Sequence, residues 1–137
     1  MKSTKKPFGP IDEDFIRKGA TRVTDDDFKK VGDRAGDITR TFGRGGPLGR
    51  FLDDARVLLA MAADYYSGNY RKIPYWAVAA IVFALLYVLN PFDIVPDVIP
   101  VLGYIDDAAV VGLCLAMVEQ QLHEYREWRA RADSRQH

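Results

Sequence analysis

PYWAVAAIVFALLYVL, Pro74 to Leu89, presents no charged side chain on any helical face. Pro74 suits a first helical position, because the N–H it lacks has no partner there. A helix apolar all round is either the buried centre of a bundle or a membrane span. From Ile73 to Phe92 no charge occurs in 20 residues, a length that reaches across a hydrocarbon layer. Arg71 and Lys72 stand before this run and Asp93 after it, which puts its N-terminal side in the cytoplasm by the positive-inside rule. Tyr75 and Trp76 fit an interfacial aromatic belt and fit a core aromatic cluster equally well.

The next segment, Asn90–Asp107, reads NPFDIVPDVIPVLGYIDD. It holds Asp93, Asp97, Asp106 and Asp107, with Pro91, Pro96 and Pro100, and no base. Carboxylates beside apolar runs cost free energy unless something answers their charge. Two readings stay open. The aspartates cap turns and the following helix. Alternatively they converge on a divalent cation (Mg²⁺, Ca²⁺ or Mn²⁺), which oxygen ligands suit. The spacing is not that of an EF-hand loop.

Downstream, Asp106 or Asp107 opens a last helix whose apolar part is Ala108–Val118, 11 residues or about 16 Å. Extending it upstream to span would bury two acids, each costing about 2.5–3.5 kcal/mol near the bilayer centre. The large apolar residues of the run return about 3 kcal/mol in all, so a plain two-span hairpin is disfavoured. Beyond Val118 the helix turns amphipathic, with Leu122, Tyr125 and Trp128 against Glu119, Gln120, Glu124 and Arg126. Its charged end, from Arg126 to His137, is expected to fray. Glu119, His123 and Glu127 recur on one face and read as a solvated, salt-bridged surface.

Upstream, an amphipathic helix runs from about Leu48 or Phe51 to Tyr66, with Phe51, Ala55, Leu58, Ala62 and Tyr65 on its apolar face and Leu52, Leu59 and Tyr66 beside it. Ser67-Gly68-Asn69 ends it. Before it, Gly43–Gly49 (GRGGPLG) breaks the chain and reads as a hinge, since it matches neither phosphate-binding glycine motif. The leader, residues 1–45, carries one marginal amphipathic helix capped by Thr24, with Phe28, Val31, Ala35, Ile38 and Phe42 as its stripe. Residues 1–23 read as a tail with at most one helical turn around Asp12–Lys18.

These elements predict an all-α fold. It is a bundle or hairpin of three to four helices with the apolar helix at its centre and a Pro/Asp-rich turn before the last. The division is a leader (1–45), a helical domain (46–130) and a charged tail (131–137). Net charge is zero, yet residues 1–50 carry 12 Lys+Arg against 8 Asp+Glu, while residues 73–118 carry four acids and no base. Nucleic acid is excluded as a partner, because the chain as a whole is not basic. A membrane is the expected partner, approached by Lys2, Lys5, Lys6, Lys29 and Lys30. A protein partner or a second copy of the chain stays open. Cys114 is the one cysteine, so no intrachain disulfide forms. The N-terminus lacks the apolar stretch of a signal peptide, which predicts a chain kept in the cytosol or inserted by an internal segment. No serine-nucleophile, zinc-protease or kinase motif is present.

The unit YVLNPFDIVPDVIPVLGYIDDAAVV, Tyr87 to Val111, resembles the signature of the YkvA-like domain family of small bacterial proteins. The matching positions are Asn90, Pro91, Asp93, Pro96, Asp97, Pro100, Gly103, Asp106 and Asp107. The resemblance runs from about Gly46 to Trp128. It implies a domain of unknown function in proteins commonly described as membrane proteins, a related domain being appended to some membrane-anchored RING-type ubiquitin ligases. It implies no catalytic activity.

Overall fold

The computed structural model describes residues 12–89 and 107–135. Its α-helices are α1 (Glu13–Thr21), α2 (Asp25–Asp33), α3 (Ala35–Gly43), α4 (Leu52–Ser67), α5 (Tyr75–Leu89), α6 (Asp107–Met117) and α7 (Glu119–Arg135). A 3-10 helix, Gly46–Phe51, joins α3 to α4. Among the described residues there is no strand, so the chain is all-α.

The apolar helix α5 is the axis, and α1, α2, α3, α4 and α6 all pack on it. From Ala77 to Val88 no residue is more than 5% exposed. At 15 residues α5 is about 22 Å long, short of the roughly 30 Å of a hydrocarbon core. No helix among the described residues is long and apolar enough to cross a membrane. The spanning helix expected from the sequence is therefore not seen, because the apolar surface that suggested it is spent on neighbouring helices. The last residues of the charge-free run, 90–92, lie outside the described residues.

The leader departs most from the sequence reading. Residues 13–21 form a full helix, with Asp12 Oδ1 accepting from the Phe15 N–H at 3.0 Å. Phe15, Ile16, Gly19 and Ala20 bury its inner stripe. Phe15 meets Phe83 and Tyr87 edge-on, with ring centroids 5.6 and 5.8 Å away. Thr24 caps α2 as expected. Its hydroxyl accepts from the Asp27 N–H, and the Asp27 carboxylate accepts from the Thr24 N–H at 2.9 Å. The stripe from Phe28 to Phe42 is then divided at Arg34 (φ −104°, ψ 17°). The kink lets Phe28 and Val31 on α2, and Ile38 and Phe42 on α3, all reach the core.

At the other end, α6 and α7 meet at Val118, which is buried. The charged end of α7 is helical to Arg135 rather than frayed. Tyr125 fixes α7 to α4: its hydroxyl donates to Asp64 Oδ2 at 2.5 Å. Tyr70, in the α4–α5 connection, packs on Tyr125 and Trp128 with centroids 5.2 and 4.8 Å away. That connection starts at Gly68, whose φ of +91° closes α4 in the left-handed region.

Candidate functional site

Of the nine motif positions, Asn90, Pro91, Asp93, Pro96, Asp97, Pro100, Gly103 and Asp106 lie outside the described residues. Asp107 is the first residue of α6 and half-buried, in the first turn where a carboxylate favours the helix dipole. Among the described residues no group of three or more His, Cys, Asp or Glu side chains is placed to hold a metal ion. His123 Nε2 lies 3.2 Å from Glu127 Oε2 on the exposed face of α7, as the solvated-face reading expected. Cys114 is fully buried, and its Sγ lies 3.6 Å from the Ala80 carbonyl oxygen. Burial pushes its thiol up to about 12, so it is inert in the folded protein.

The surface is distinctive at the N-terminal end of α5. Among the described residues the large hydrophobic side chains left exposed are Tyr66 (44%), Tyr75 (51%) and Trp76 (38%). Tyr66 and Tyr75 belong to one ring cluster, and Trp76 follows Tyr75 in the chain. The Phe28 ring stacks on Tyr65, Tyr66 and Tyr75, with centroids 6.0, 5.8 and 6.4 Å away. The Tyr75 hydroxyl donates to the Val23 carbonyl at 3.3 Å, tying α5 to the α1–α2 turn.

Cations border these rings. The Arg17 guanidinium lies over Trp76, 5.5 Å from the ring centroid, while its Nη2 is 3.8 Å from Glu13 Oε1. Arg71 lies over Tyr65 at 4.8 Å and donates from Nε to the Tyr65 carbonyl at 2.7 Å, closing the end of α4. Lys72 is exposed beside it. The Tyr75 side is more acidic: burial, Tyr65, Asp25 and Asp27 together raise the Tyr75 phenol above its ordinary value.

Two concavities flank this cluster. A cleft of about 350 Å³ between α1 and α5 is lined by Arg17, Ala20, Thr21, Tyr75, Trp76 and Ala79. A groove of about 390 Å³ between α2, α3 and α4 has Gly32, Ala35, Leu59, Ala62 and Ala63 in its walls. The Tyr75–Trp76 pair was visible in the sequence as interfacial or core. Arg17 was not singled out. The signal for Arg17 was present in the α1 stripe, since it stands off the face formed by Phe15, Ile16, Gly19 and Ala20.

Residues 77–113, the core of α5 through most of α6, match the family described as a protein of unknown function (DUF1232). A 69-residue stretch, 50% of this chain, is 41% identical to a Bacillus subtilis (strain 168) protein described as "Uncharacterized membrane protein YkvA". The stretch spans 65% of that protein's length. No solved structure matches the chain.

Proposed function

We propose that this chain, which carries a YkvA-like domain, is a small membrane-associated helical protein without an evident catalytic activity. It sits on the cytoplasmic face of the membrane as a folded bundle, with α5 kept inside. The observation that carries this reading is the gathering of Tyr66, Tyr75 and Trp76 at one end of the bundle, bordered by Arg17, Arg71 and Lys72. Aromatic rings with one apolar and one wet end settle at headgroup level. Cations beside them meet the anionic leaflet at about 1 kcal/mol each. The description of the Bacillus relative as a membrane protein supports the same reading.

Membrane fractionation tests it. The expected result is a chain that pellets with membranes and is released by high salt or an alkaline wash. Resistance to the alkaline wash overturns the peripheral mode in favour of an inserted α5. A chain that never pellets overturns membrane association. It returns the question to a free helical bundle whose Asp93, Asp97, Asp106 and Asp107 hold a divalent cation or a basic partner segment, which titration with Mg²⁺, Ca²⁺ and Mn²⁺ resolves.

A further inference from the structure

We infer that the cleft between α1 and α5 is a binding site for one anionic membrane lipid, its acyl chain in the cleft and its phosphate on Arg17. The inference rests on the membrane reading and names the ligand within it. Ala20 and Ala79, both buried, leave room by being small, and Trp76 and Tyr75 supply aromatic walls. At about 350 Å³ the cleft falls at the lower end of ligand pockets, about 300–1,000 Å³, so it admits a chain and excludes a bulky headgroup.

Charge gives the cleft a direction. Among the described residues Arg17 is the one charged side chain lining it, so the polar end of an amphiphile held there is anionic. The Arg17 side chain is 55% exposed and its ion pair with Glu13 is 3.8 Å long, the kind of surface pair worth little. A phosphate displaces Glu13 at small cost and gains a planar, multiply donating partner. Asp25 and Asp27 act on the Tyr75 side and keep an anion away from it, leaving the Arg17 rim as its place. Thr21, exposed at the C-terminal end of α1, adds a hydroxyl to the cleft wall.

The test uses the full chain with Trp128→Phe, so that Trp76 is the remaining tryptophan. It is mixed with vesicles of phosphatidylcholine alone or with phosphatidylglycerol, the acyl chains brominated. Sedimentation reads association and Trp76 quenching reads the site. The expected result is association and quenching on the anionic vesicles, weakened about fivefold by Arg17→Gln. Thr21→Phe, a plug from an exposed position, is expected to reduce quenching with the fold intact by circular dichroism. Arg56→Gln, a surface cation elsewhere, is expected to change neither. Quenching indifferent to both Arg17→Gln and Thr21→Phe overturns the lipid site while the membrane reading stands, and association without Trp76 quenching overturns the lipid site together with the aromatic patch as the membrane-facing surface. No association with either vesicle overturns both.

Discussion

Gly19 on α1 and Phe83 on α5 touch with no space between them: a Cβ on Gly19 would clash with the Phe83 ring, against Cδ1, Cε1 and Cζ. The backbone of the leader therefore lies directly on the aromatic centre of the core. Phe83 is fully buried, so its ring has little room to yield.

Gly19→Ala follows from this contact. Alanine gains about 1 kcal/mol of helix propensity over glycine. Overpacking against a fixed ring costs about 1–3 kcal/mol. The net expectation is destabilisation by about 1 kcal/mol in urea unfolding, recovered in part when Phe83→Leu is added. A neutral or stabilising Gly19→Ala would show that α1 is not seated on Phe83.

Removing residues 1–45 uncovers α5. Phe15, Ile16, Phe28, Val31, Ile38 and Phe42 leave the core with them. Each such side chain contributes about 1.5–3 kcal/mol on burial, so six match the whole net stability of about 5–15 kcal/mol typical of a domain. The remainder is expected to aggregate or to require detergent. A monodisperse, cooperatively unfolding fragment 46–137 in plain buffer would contradict this.

Tyr125→Phe deletes the hydroxyl that reaches Asp64 at 2.5 Å. A hydrogen bond to a charged group contributes about 1.5–3 kcal/mol, and the half-exposed Asp64 regains water, so a loss of about 1–2 kcal/mol is expected. The neighbouring ion pair, Arg126 to Asp54 at 3.0 Å, is solvent-exposed. Arg126→Ala is expected to cost under about 1 kcal/mol. Equal losses for the two variants would mean that the tyrosine is not what locks α7 to α4.

Cys114 makes stability depend on pH. Its folded thiol is pushed up to about 12 by burial, while an unfolded thiol titrates at about 8.5. The folded state keeps the proton longer, so the stabilisation is complete below about pH 8.5 and is lost as pH rises toward 12. Between those limits the wild type is expected to lose about 1.4 kcal/mol per pH unit more than Cys114→Ala. Urea unfolding at a series of alkaline pH values measures both slopes; parallel slopes would place the thiol in contact with water.

Several features were legible from local chemistry alone. α5 was, since Pro74 opens it and no face of it is polar. The Thr24 cap was, since a threonine before three aspartates satisfies free N–H groups within one turn. The glycine break before α4 was also marked, although its second half coils into a 3-10 helix that packs on α3, α4 and α6. Each of these signals lies within a few consecutive residues.

The YkvA-like signature and the all-α class were thus determined by the sequence itself: one charge-free helix followed by a proline- and aspartate-rich segment. Whether that helix faces lipid or protein was not. Periodicity reports how apolar a face is and not what covers it. The cover comes from α1, at nine residues too short to announce itself, and from α2 and α3, split at an arginine that no propensity marks. Tyr125 and Asp64 are 61 residues apart, and Gly19 and Phe83 are just as remote in the chain. Tertiary packing brought these pairs together, and by burying Ala77–Val88 while leaving Tyr75 and Trp76 outside it decided which aromatic rings belong to the core and which to the surface.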